Sequence, residues 1–148
     1  MNEIEHNEIK FKIIEDFKRD AKGKLEPDII GEAVKKIASP KSEKYYATGD
    51  AQSFIFFIMF SLETDIDKKS FSGKAGGLTS AGFAWMEGYI YTDDLGKLYS
   101  DTVSFEFNST FAYLSLLFFD SHSHLLGHFQ SAAISTISGI GGGSGSWS

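Results

Sequence analysis

The chain has no cysteine. That removes disulfides, zinc–thiolate centres and thiol nucleophiles together, and leaves stability to a well-filled core, whether in the cytosol or after export. Cations are scarce: 14 Lys and Arg stand against 20 Asp and Glu, giving a formal net charge of -6 and a pI near 5.1. Nucleic-acid binding rests on clustered cations that neutralise phosphates, so nucleic acid is excluded as a partner. Long apolar runs are missing too. The longest, Phe54 to Phe60, falls far short of the ~20 residues a membrane helix requires. The opening MNEIEHNEIK lacks the basic start and apolar stretch of a secretory signal, so no export signal is expected in this sequence. Charge itself runs out toward the end: Asp101 to Ser148 holds three formal charges, all acidic, at Asp101, Glu106 and Asp120.

What is present sorts into two parts. Residues 1 to 50 carry 10 of the 14 basic and 11 of the 20 acidic residues, and the composition changes near Asp50. Ile9, Ile13 and Phe17 recur at helical spacing between Glu and Lys, which predicts an amphipathic helix ended by Gly23. Pro27 opens a second helix with the stripe Ile30, Ala33, Val34, Ile37, and Pro40 stops it near Ser39. The mixed charges between these stripes read as a solvated face.

Beyond Pro40 the pattern is one of strands. Tyr45–Thr48 is a candidate, followed by Ala51–Glu63, whose Phe54, Phe56, Ile58, Phe60 and Leu62 take one face while Ile55, Phe57 and Met59 take the other. A strand apolar on both sides is covered on both. The N-terminal helices are the expected cover, and failing that Ile55, Phe57 and Met59 form a candidate interaction surface. Ser70–Lys74, Thr79–Thr92, Thr102–Phe107, Thr110–Phe119, His124–Ser131 and Ala133–Ser138 complete the series, with a short helix near residues 93–99 capped by Asp93-Asp94. About eight short strands without intervening helices predict a mainly β fold, a compact antiparallel barrel with a helical N-terminal segment. With 14 Phe, 6 Tyr and 2 Trp, the interior of such a barrel is expected to be filled by side chains rather than by a ligand.

No residue set spells out a reaction. His122, His124 and His128 lie close to Asp120 and form a candidate pH-sensing or surface cluster, but no carboxylate stands at a spacing that would complete a metal site. GKAGG (Gly73–Gly77) and GIGGGSG (Gly139–Gly145) lack the phosphate-loop pattern and read as bends in strands. Asp65 and Asp67 have the D-x-D of a calcium loop without its Gly and Glu, and the nucleophile-elbow motif GxSxG is absent. Trp85, Tyr89 and Tyr91 share one parity with Phe83, which reads as a core face in preference to a sugar or lipid site. No residue is assigned to catalysis, to a cofactor or to a metal.

FFDSHSHLLGHFQSAAISTISGIGGGSGSWS and GFAWMEGYIYTDDLGKLYSDTVSFEFN resemble the C-terminal half of the virulence-associated (Vap) proteins of rhodococcal pathogens, most strongly at DTVSFEFN and GIGGGSGSW. The resemblance implies a compact eight-stranded antiparallel barrel of two Greek-key units, which would span residues 44–148; residues 1–43 read, on their own pattern, as a charged helical segment, where known members have a disordered N-terminus. It also implies a secreted, non-enzymatic effector or interaction module that acts on host endolysosomal membrane or on a host protein. The alternative is a small-ligand or lipid carrier using the barrel mouth or the outside of the Phe54–Leu62 strand.

Overall fold

The computed structural model describes residues 2–40, 42–77, 79–132 and 137–148. Helix α1 (Glu3–Ala21) starts where the Asn2 side chain accepts a hydrogen bond from the Glu5 amide at 2.9 Å, and it buries the stripe Ile9, Ile13, Phe17. Gly23, at φ +82°, turns the chain into α2 (Pro27–Ala38), which buries Ala33 and Ile37. Eight strands follow: β1 (Glu43–Ser53), β2 (Phe57–Thr64), β3 (Ser70–Gly76), β4 (Gly82–Thr92), β5 (Ser104–Ser109), β6 (Tyr113–Phe119), β7 (Leu125–Ala132) and β8 (Gly139–Trp147). Helix α3 (Leu95–Asp101) lies between β4 and β5, and the Asp94 carboxylate caps it at the Lys97 amide.

The strands close into an antiparallel barrel in the order β1-β2-β3-β8-β5-β6-β7-β4. Read from β4, this is two Greek keys in succession. β1, β2 and β3 are consecutive hairpins and β4 returns beside β1; β5, β6 and β7 repeat the pattern and β8 returns beside β5. The interior is solid. Phe60, Phe71, Phe105, Phe107, Phe118 and Phe129 are all buried there, with ring centroids 5.0–5.5 Å apart where they meet. The barrel interior is thus filled by side chains, as its aromatic content predicts.

The glycine run is a strand of its own, and its composition explains why. β8 passes so close to its neighbours that a Cβ on Gly145 would lie 2.5 Å from Phe71 Cζ, and one on Gly141 would lie 2.9 Å from Phe107 Cε1. Large rings inside require the crossing backbone to have no side chain. The last strand was expected at Ala133–Ser138. Residues 133–136 lie outside the described residues, and the strand that closes the barrel begins at Gly139.

Three further expectations are corrected. Ala51–Glu63 is not one strand: β1 ends at Ser53, Ile55 takes φ +77°, and the Phe54 amide donates to Phe57 O at 2.8 Å, which closes a tight turn. The helices do not cover that region. They lie on the outer face of β6 and β7, where Ile9, Ile13, Phe17, Ala21, Ala33 and Ile37 form a second core with Tyr113, Leu117, Phe119 and Leu125. Lastly, the aromatic parity of β4 faces outward while Ala84, Met86 and Ile90 face in, because rings from the other strands already fill the centre.

Candidate interaction surface

Antiparallel alternation puts the ends of β1, β3, β5 and β7 at one end of the barrel, where the described connecting residues are 54–56, 77, 79–81, 110–112 and 137–138. None of these residues is a Lys, Arg, His, Asp or Glu. The opposite end carries DIDKK at 65–69, DDLGKLYSDTV at 93–103 and DSHSH at 120–124. The connecting residues are therefore charged at one end of the barrel and uncharged at the other.

The end with uncharged connections displays bulky apolar side chains. Phe111 is 98% exposed and Phe56 74%, and Phe54 and Ile55 are exposed in the same turn as Phe56. They are held out by a rigid backbone. The Thr79 amide donates to Ile55 O at 3.0 Å, the Gly77 amide to Phe56 O at 3.3 Å, and the Ser53 and Thr79 hydroxyls pair beneath the turn. A β-branched residue at positive φ costs free energy, so the turn keeps Ile55 there only because these bonds over-determine it. Exposed Met59, Phe83 and Trp85 extend the patch along the outer faces of β2 and β4. Register places Gln52 between Phe83 and Met59, and Lys74 beside Met59 with its ammonium 4.4 Å from the Phe57 ring centre. Of the residues singled out from the sequence, Ile55 and Met59 are exposed and Phe57 is half-buried against Phe54, ring centroids 4.8 Å apart. Phe111 was read as part of a strand. Its place beside Thr110 and Ala112, between two alternating runs, is the signal for a turn.

The three histidines separate. His122 and His124 are exposed in the β6–β7 turn, where their amides each donate to Asp120 Oδ1 at 2.9 Å. Partial burial opposes it, but these bonds hold the Asp120 carboxyl below the usual range. His128 is buried beneath α1, stacked on Tyr91 at 5.2 Å, with Nε2 donating to Gln130 Oε1 at 2.9 Å. Gln130 Nε2 in turn donates to His6 O at 3.1 Å, and the Tyr91 hydroxyl bonds His6 Nδ1 at 2.7 Å. This network joins α1 to β4 and β7. Burial drives the His128 pKa down to about 4, with Lys10 adding to the effect and Gln130 opposing it.

Since the folded pKa of His128 lies below its ordinary 6.5, its contribution to stability is complete above that value and is lost as pH falls toward 4. His128→Leu is expected to lower the thermal midpoint at neutral pH, because Gln130 loses a partner, and to remove up to roughly 3 kcal/mol of acid-side slope. Midpoints measured across that interval check it; a slope equal to that of the wild type would refute the assignment.

Among the described residues no group of three or more His, Cys, Asp or Glu is arranged to hold a metal ion.

A sequence model of the Rhodococcus equi virulence-associated protein family matches residues 2–148. The chain belongs to that family. Two solved members from Rhodococcus equi, an intracellular pathogen, are similar in structure. VapB is 42% identical, with a TM-score of 0.68 over 72% of this chain and 97% of its own. VapD is 40% identical, with a TM-score of 0.71 over 74% of this chain and 100% of its own. The covered share is close in length to the barrel alone. Among curated proteins, none matches the chain.

Proposed function

We propose that this virulence-associated protein is a secreted, non-enzymatic effector that docks the barrel end bearing uncharged connections on host endolysosomal membrane. The observation that carries the reading is the pairing of uncharged connecting residues with exposed Phe54, Ile55, Phe56 and Phe111. A bilayer accepts apolar rings and rejects charge, so connections without ionisable residues enter at no charge-desolvation cost of their own, while Lys74 on the flank keeps its ammonium at the headgroup level along an apolar stem. Trp85 on the flank suits the headgroup level, where an indole keeps an apolar body and a polar tip. Membership of a virulence-associated family supports action on a host, and the ring-filled barrel supports action by a surface rather than by an internal site.

Flotation with anionic liposomes at pH 5 and pH 7 tests the reading. Wild-type protein is expected in the lipid fraction. A Phe54→Ser, Phe56→Ser, Phe111→Ser variant is expected to partition at least about a thousandfold less, because each buried Phe contributes about 1.5–3 kcal/mol. No association by the wild type at either pH would overturn membrane docking and leave a host protein as the partner of this end.

A further inference from the structure

A cleft of about 450 Å3 opens on the side of the barrel, where the C-terminal turn of α1 overhangs β5 and β8. Its floor is the outer face of the sheet, with Ser104, Glu106, Ile140 and Gly142; its wall is Asp20, Ala21, Lys24 and Leu25, with Phe119 at the junction. Glu106 stands opposite Gly142 in the ladder, so no side chain on β8 fills the space beside it. The carboxylate makes no hydrogen bond or ion pair among the described residues. Burial, reinforced by the charge of Asp20, pushes its pKa up to about 7, with Lys24 acting the other way. Asp20 adds negative charge beside it: Oδ1 meets Arg19 Nε at 3.4 Å, and Oδ2 is buried without a hydrogen-bond partner.

We propose that this cleft binds a small organic amine, with Glu106 receiving the ammonium and Leu25, Phe119 and Ile140 holding the apolar body. The volume falls within the range of small-molecule pockets. Two carboxylates on a partly apolar wall are too few for a hard metal ion, which takes six or more oxygens or keeps several waters. Anions are repelled by the same pair. An alkylammonium satisfies Glu106 with a charge-assisted bond and buries its carbon body. The ionisable groups facing the site are Glu106 from β5, and Asp20 and Lys24 from the helical side, with Arg19 and Asp16 bonded just behind them.

The test is an amide-resolved NMR titration of the full chain with benzylammonium chloride, and with sodium benzoate and benzyl alcohol as charge controls. Saturable shifts at Glu106 and Gly141–Gly143 are expected for the ammonium alone, weaker at pH 5 than at pH 8, because Glu106 takes up a proton below about 7. Glu106→Gln is expected to weaken binding about tenfold or more, the share of one charge-assisted hydrogen bond, and Lys24→Ala to tighten it. Glu106→Gln should still float with liposomes, which keeps this result separate from membrane docking. Equal shifts with benzoate or benzyl alcohol, or unchanged affinity in Glu106→Gln, would overturn the proposal.

Discussion

Removal of Gly141–Ser148 is expected to unfold the whole domain rather than trim its end. These residues are most of β8, which pairs with β3 on one side and β5 on the other, so deletion opens the barrel at its centre and creates two bare edges. It also uncovers Phe71, Phe105 and Phe107 and removes Trp147, whose ring meets Phe71 and Phe118 at 5.5 Å and Tyr99 at 5.1 Å. Truncating a buried Trp alone costs about 3–5 kcal/mol, a large part of the ~5–15 kcal/mol of a typical domain. Trp147→Ala is the graded form of the experiment. It should lower the thermal midpoint by about 10 °C, at a few degrees per kcal/mol for a chain of this size. Because Trp147 Nε1 has no hydrogen-bond partner, Trp147→Phe should recover most of that loss. Circular dichroism melts of the three variants decide the matter; an unchanged midpoint in the deletion would make the tail dispensable.

Phe17→Ala is expected to release the helices while leaving the barrel folded. Phe17 is buried in the second core and stacks on Phe119 at 6.4 Å, so its loss costs about 3–5 kcal/mol of docking. What remains is the smaller apolar contact of Ile9, Ile13, Ala33 and Ile37 together with a polar set of joints: Tyr113 OH to Asp16, Lys36 Nζ to Leu125 O at 2.9 Å, and the His6 network. Such joints gain little net stability in water, roughly 1 kcal/mol each. Hydrogen exchange should therefore speed up by about a hundredfold or more across 3–38, while β2, β3 and β8 keep their protection. Acceleration spread evenly over helices and strands would show instead that the two cores unfold as one.

The same two cores explain which features could be read in advance. The stripes Ile9, Ile13, Phe17 and Ile30, Ala33, Val34, Ile37 mark two helices because helical period is a local property. Alternation around Phe105 and Phe107 marks a strand for the same reason. Which surface the helices would cover was not local. The Ile55, Phe57, Met59 face and the Tyr113, Leu117, Phe119 face are both apolar in sequence, and only closure of the barrel decides that the second receives α1. The outward turn of Phe83 and Trp85 belongs to the same class, since it depends on how many rings other strands had already placed inside.

Glu106 shows the limit for the site. In the sequence it is one carboxylate between two phenylalanines, an ordinary outward position. Its cleft arises because α1, nearly a hundred residues earlier in the chain, ends above it and because Gly142 lies across the ladder. By itself the sequence determined two amphipathic helices, a barrel of short antiparallel strands with an aromatic interior, and the family. Periodicity, composition and motif order are all carried within a few residues of chain. The tertiary structure alone decided that β8 is the glycine run, that the helices shelter β6 and β7, and that the uncharged connections share one end. Those depend on strand order and barrel closure, which bring distant residues together and leave no trace in local pattern.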